Sequence, residues 1–314
     1  MINLRPRYLL LTSVLIASSI FIPVFANAEF AEYYKAGIEA YKSAKYAEAE
    51  KSYSAALKAA EVASPDNRDV ATALNALAGV YYRQARYSEA EPMFKRALAI
   101  DEKVRGPETA AVAGDLADLA KLYLRLGKFD EAEPLMKRAL AIDEKVLGPH
   151  HQDVAIDLRN LADLYQDQGK LDEADTLLKR ALTIDEKAVG PESSNAAVDL
   201  GRLGGVYKTQ GKYFEAESFF KRSLAVNEKV LPPNHPNIAS DLHNLASIYR
   251  IQKNYKQAEP LYKRSIAIYE KALGPNHPDV AGTLIGYASL LRETNREKQA
   301  AELEARADAI LPSK

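Results

Sequence analysis

The sequence predicts an all-α solenoid of about seven antiparallel helix pairs. Three observations carry this: a period of 42 residues, a helical spacing of apolar residues inside each period, and Gly and Pro confined to regular intervals. Tyr81, Tyr123, Tyr165, Tyr207 and Tyr249 stand 42 apart. Leu77, Leu119, Leu161, Leu203 and Leu245 do the same, as do Ala90, Ala132, Ala174, Ala216 and Ala258. Lys-Arg pairs recur from Lys95, Lys137, Lys179, Lys221 and Lys263. Gly-Pro recurs from Gly106, Gly148, Gly190 and Gly274, with Pro232-Pro233 in the remaining place.

Each period reads as two helices. Leu158, Leu161, Ala162 and Tyr165 fall at i, i+3, i+4 and i+7, one apolar stripe. Gln168-Gly169-Lys170 breaks the helix. Ala174, Leu177, Leu178, Ala181, Leu182 and Ile184 then line one face of a second helix. Ser88-Glu89-Ala90-Glu91 and Asp130-Glu131-Ala132-Glu133 have the pattern of capping boxes with Ser88 and Asp130 as N-caps. Pro92, Pro134 and Pro260 are expected in the first turn that follows. Gly-Pro closes the pair. The pairs are expected at about 30–63, 69–105, 111–147, 153–189, 195–231, 237–273 and 279–311. One pair cannot cover its own apolar stripe, so stacked neighbours must, and the terminal pairs should differ from the middle ones. They do: Ala40 and Leu291 replace the repeated Tyr, and the last helix is polar, with Glu297, Lys298, Glu302, Glu304 and Arg306.

The first residues have the pattern of an export signal. Arg5 and Arg7 precede an uncharged, mostly apolar run from Tyr8 to Phe25, and Pro23 and Ala26-Asn27-Ala28 follow the form of a cleavage site. Residues 1–28 are thus expected to be removed after Ala28. That leaves residues 29–314 as one solenoid in the periplasm or outside the cell. An uncleaved anchor is the competing reading of the same run. Loss of Arg5 and Arg7 would leave 40 basic and 43 acidic residues, a net charge of −3. A balance so near neutrality sets up no long-range field for nucleic acid or an anionic membrane. With no Cys there are no disulfides, thiol nucleophiles or thiolate metal sites.

Leu161-Ala162, Tyr165, Gly169, Leu171, Ala174, Leu178 and Ala181 resemble the tetratricopeptide repeat. The period and segments such as Leu273-Gly274-Pro275-Asn276-His277-Pro278-Asp279-Val280-Ala281 are similar to the kinesin-light-chain type of that repeat. The resemblance spans about residues 30 to 311. It implies a right-handed superhelix in which the first helix of each pair lines an inner groove that holds peptides or partner segments.

Carried onto this chain, that face comprises Asn75, Tyr82, Arg83, Lys121, Arg125, Arg159, Asn160, Asp163, Arg202, Lys208, His243, Asn244 and Arg250. The set holds more Arg, Lys and Asn than acids. That suits a protein or peptide partner bearing an acidic stretch or a C-terminal carboxylate, because Arg and Lys present donors only. The plainer reading is an exposed face without a ligand of that sign.

No catalytic, cofactor-binding or metal-binding residues are expected. H-E-x-x-H, G-x-S-x-G and a Gly-rich phosphate loop are missing from the sequence. His151, His235 and His277 share one column in the turns between pairs and are expected to be turn and cap residues. Glu133–Lys137, Asp175–Lys179 and Glu259–Lys263 read as i,i+4 ion pairs, and the Lys-Arg dipeptides as a solvated outer face. The function expected is an exported interaction scaffold. The alternative is a self-assembling envelope component without a peptide ligand.

Overall fold

The computed structural model describes the backbone of residues 24–311. Most of the predicted leader, residues 1–23, lies outside the described residues. Among the described residues there are fourteen helices and no strand: α1 (Val24–Lys42), α2 (Tyr46–Ala63), α3 (Arg68–Arg83), α4 (Tyr87–Arg105), α5 (Ala110–Arg125), α6 (Phe129–Leu147), α7 (Gln152–Asp167), α8 (Leu171–Val189), α9 (Ser194–Thr209), α10 (Tyr213–Val230), α11 (Pro236–Ile251), α12 (Tyr255–Leu273), α13 (Pro278–Glu293) and α14 (Glu297–Ile310). The chain is an all-α repeat solenoid. Its contacts group into two units, Met1–Ile100 and Asp101–Lys314, where the sequence reading has one array. The boundary falls within α4.

The two turns of each period end helices by different means. Inside a pair, Lys170 N–H donates to Tyr165 C=O (2.8 Å) across Gly169, whose φ is +75°. This wraps up the carbonyls left open at the end of α7 and needs a left-handed residue, which glycine supplies most cheaply. Between pairs, the chain leaves α8 through Gly190, and a polar side chain starts the next helix. Asn67, Thr109 and Ser193 cap α3, α5 and α9 by accepting from backbone N–H groups of the first turn. His151, His235 and His277 do the same through Nδ1, each at 3.2 Å, for α7, α11 and α13. The histidine column is therefore a cap column.

The expected capping boxes are displaced. The N-cap of α6 is Lys128, with no side-chain bond, and Ala132 N–H already donates to Lys128 C=O. The tight turn delivers the chain into helix one residue before Asp130. Asp130 and Glu131 then lie in the first turn, where negative charge complements the helix dipole. Pro134, like Pro92 and Pro260, sits in the second turn and forfeits one ladder bond.

In the first unit, Val70, Ala71, Leu74, Ala97 and Ile100 form a core with Ala60. In the second, Val154, Ala155, Leu158, Ala181 and Ile184 form one tier, and Ile238, Leu242, Ile268, Val280 and Leu284 another. Small residues set the depth of each seam. A Cβ on Gly204 would stand 2.8–2.9 Å from the Phe220 ring, so the bulky ring and the missing side chain occur together.

The Lys-Arg dipeptides are not a merely solvated face. Lys137 reaches Glu133 at 2.7 Å and lies 5.8 Å from the centre of the Tyr165 ring, while Lys170 approaches the same ring at 5.0 Å. Tyr165 Oη and Lys170 Nζ both donate to Glu133, at 3.2 and 3.1 Å. The neighbouring Arg reaches back one period: Arg138 to Glu102 (2.6 Å), Arg180 to Glu144 (2.5 Å) and Arg264 to Glu228 (2.6 Å). In the second unit each dipeptide thus ties its own hairpin to the one before and the one after. The expected pairs Asp175–Lys179 and Glu259–Lys263 are present, each at 2.7 Å.

Candidate functional site

The first helix of each pair carries the candidate partner-binding face, and the two units are described separately. In the first unit, Asn75 is half-buried on α3. Tyr82 packs on Tyr87 with ring centres 5.7 Å apart. Arg83 is exposed and donates from Nε and Nη2 to Tyr46 Oη at 3.4 and 3.3 Å.

In the second unit, several predicted cations are neutralised within the chain. Lys121 pairs with Asp118 at 2.9 Å. Arg125 is exposed and has a partner within the chain. Arg202 forms a fork with Asp163, Nε to Oδ1 and Nη2 to Oδ2, both 2.9 Å. The predicted Asn160 is half-buried beside them.

Arg159 departs most from expectation. It is only 8% exposed, and its Nη1 donates to Asp185 Oδ2 (2.5 Å) and Asp199 Oδ1 (3.0 Å). It is a buried cation whose Nη1 is shared by two buried carboxylates.

What the fold does gather is a basic corner on α9 and α11. Lys208 Nζ donates to Asn244 Oδ1 at 3.2 Å. His243 meets the edge of the Tyr262 ring, centres 5.9 Å apart, and its buried Nδ1 has no hydrogen-bond partner. Arg250 pairs with Glu293 through Nη1, but its buried Nε has none. Burial and the nearby Arg250 hold the Lys208 ammonium below its ordinary range. Burial and Lys208 push His243 down to about 4. Two cations, Lys208 and Arg250, thus stand near a neutral His243, with Glu293 paired to Arg250 and Asp279 acting on His243.

Sequence reasoning missed a second set of polar residues. Asp101, Asp115, Asp143, Asp157, Asp185, Asp199 and Asp241 are all buried. Their signal is visible afterwards. Asp101, Asp143 and Asp185 stand 42 apart, as do Asp115, Asp157, Asp199 and Asp241, and each column adjoins the apolar stripe of its helix.

A regular stack of helical hairpins with polar inner positions defines an interaction scaffold. The chain belongs to the tetratricopeptide repeat family, whose model matches residues 30–103, 108–187, 194–271 and 242–313. No curated protein matches it. Among solved structures, it is similar to a putative kinesin light chain with nearly identical TPR-like repeats from Podosopora anserina: 25% identity, 66% of this chain and 99% of that one, TM-score 0.57. BtubC (BKLC) from P. vanneervenii shares the fold at 20% identity over 79% of this chain and 92% of that one, TM-score 0.60. So does PilF of Pseudomonas aeruginosa, at 22% identity over 79% and 95%, TM-score 0.54. Among the described residues, no helix is long and apolar enough to cross a membrane.

Proposed function

We propose that this chain is an exported, non-catalytic scaffold that docks a protein partner on the first-helix face, holding an acidic group of that partner at Lys208, His243, Asn244 and Arg250. The observation that carries the reading is the basic corner itself. The buried Nε of Arg250 and Nδ1 of His243 lack hydrogen-bond partners there, and Lys208 is destabilised by the charge beside it. A carboxylate beside Lys208 and Arg250 would ease the repulsion between their charges. Export rests on the leader pattern. It is checked by the intact mass of the protein from its native host, which should begin at Glu29. With that leader gone, residues 29–314 act as one array.

The docking test compares wild type with a Lys208→Glu, Arg250→Glu double variant, using acetyl-Glu-Asp-Asp with a free C-terminus as probe. Charge-assisted hydrogen bonds are worth about 1.5–3 kcal/mol each, so the double variant should bind at least about tenfold more weakly. Arg83→Glu, in the other unit, should leave binding unchanged. Equal affinity for wild type and the double variant would remove the basic corner from the proposal.

A further inference from the structure

The second unit carries one large apolar side chain that its core does not use. Phe214, in the first turn of α10, is 81% exposed. Its column reads Ser88, Asp130, Asp172, Phe214, Lys256 and Lys298 at steps of 42, so the other hairpins hold a polar group there. A carboxylate at that place complements the helix dipole. Phe214 gives up that interaction and still leaves most of its ring in water.

The following hairpin extends this surface along the edge formed by the turns inside each pair. Gln252 Nε2 donates to Glu217 Oε2 (3.2 Å) and Tyr249 Oη to Glu217 Oε1 (3.3 Å), which seats the end of α11 against the start of α10. One period earlier Gln210 donates to Asp172 (3.0 Å), whose place Phe214 takes. Ile251, next to Gln252, is exposed as well. Lys212, Lys253 and Lys256 surround the two apolar residues in the chain, and all three are exposed. Lys253 has a φ of +60°, where Gly127, Gly169 and Gly211 make the three preceding turns. A side chain strains that backbone, so the turn itself does not select a lysine. Glu215 is the one exposed carboxylate among these residues, since Glu217 is engaged by Lys221, Tyr249 and Gln252. The patch is therefore apolar at its centre and cationic around it.

We infer that this edge of the second unit rests on an anionic lipid surface, with Phe214 entering the headgroup layer and Lys212, Lys253 and Lys256 lying against the lipid phosphates. An aromatic side chain buries at the boundary of headgroup and acyl chain, and each lysine nearby adds attraction to anionic lipid. A protein partner is the poorer fit. Phe214 projects from an edge and lines no groove, and the cations are lysines, compact hydrated charges that suit a layer of mobile phosphates. Arginine, whose rigid fork suits carboxylates fixed in a partner, is not among them. The near-neutral charge of the whole chain removes attraction at a distance. It does not weaken contact, because salt confines each charge to a range of about 8–10 Å. None of the groups in the docking proposal takes part, so the inference stands apart from it.

The sequence has no Trp, so Phe214→Trp places a single reporter at the centre of the patch. Its emission should move to the blue, and be quenched by brominated acyl chains, on adding vesicles of equal parts phosphatidylglycerol and phosphatidylcholine in about 0.1 M salt. Pure phosphatidylcholine should require at least about tenfold more lipid, as should the mixed vesicles once Lys212→Gln, Lys253→Gln and Lys256→Gln are added. Soluble glycerol phosphate should give no shift, because insertion needs a bilayer. Co-sedimentation checks the reporter: wild type should pellet with the mixed vesicles, and Phe214→Ser should stay in solution with an unchanged unfolding midpoint. An emission that ignores the mixed vesicles, or answers pure phosphatidylcholine equally, overturns the inference. A blue shift without lipid that grows with protein concentration also overturns it, in favour of a second copy of the chain, and one produced by polyglutamate does so in favour of an acidic protein. Lys208→Glu, Arg250→Glu should leave vesicle binding within about twofold of wild type, so the docking site and the lipid contact fail separately.

Discussion

Replacing Asp199 with asparagine should make the protein more resistant to unfolding at pH 8 while changing it little at pH 4. Asp199 is fully buried beside Asp185, and one guanidinium serves both carboxylates, leaving one negative charge in excess. Burial, with Asp185 adjacent, pushes the Asp199 carboxyl up to about 7 against the pull of Arg159. In the unfolded chain an aspartate titrates near 3.9. Between about pH 4 and pH 7 the unfolded state has therefore released a proton that the folded state still holds. Stability from this group is complete below about pH 4, declines between about pH 4 and 7, and is fully lost above about 7. Three pH units at 1.36 kcal/mol each place the loss at up to ~4 kcal/mol. Asparagine approximates the protonated acid and does not titrate, so Asp199→Asn should escape that loss while Arg159 keeps Asp185. Urea unfolding followed by helical circular dichroism at pH 4, 5, 6, 7 and 8 gives the difference between variant and wild type directly. Other buried acids, such as Asp241, act on both proteins and cancel. A constant difference across that range, or a variant weaker than wild type at pH 8, would refute the reasoning.

Two further predictions concern the seams. Gly204→Ala forces a methyl group into the Phe220 ring and should cost about 1–3 kcal/mol. Adding Phe220→Leu, the residue the preceding period carries as Leu178 opposite Ala162, should restore most of it, and a neutral single variant in urea unfolding would contradict the packing described. Glu133 is held down to about 2 by Lys137, with Lys170 and Tyr165 adding their hydrogen bonds. Its contribution is thus present above about pH 4 and fades as the solution is acidified through 2. Glu133→Gln should lower neutral-pH stability by about 1 kcal/mol and flatten the acid limb, and an unchanged acid-unfolding profile would count against the clasp.

Most of the architecture could be read in the sequence because a repeat array is governed by local rules. Apolar spacing picks the helices, Gly169 and Gly190 mark the two kinds of turn, and the 42-residue period says that each hairpin meets a near-copy of itself. The capping boxes misled because Ser88 and Asp130 satisfy a side-chain pattern, whereas the backbone turn had already started the helix at Tyr87 and Phe129. The histidine column was assigned correctly, since a cap needs only a short polar group at a fixed place before a helix.

The binding face was legible only as a list of positions. That list puts Arg159, Arg202 and Lys208 on an equal footing, all cations on the first helix of a pair. Which cation is spent inside the chain depends on side chains 26 to 40 residues away: Asp185 and Asp199 claim Arg159, and Asp163 claims Arg202. Lys208 meets only an amide oxygen and a repelling guanidinium. The sequence by itself determined the helices, their order and the small residues that let them pack, because these follow from the spacing of neighbours along the chain. Tertiary structure alone decided where charge is cancelled and where it is left over, because electrostatic energy depends on distance and burial between residues that the period brings together but does not pair.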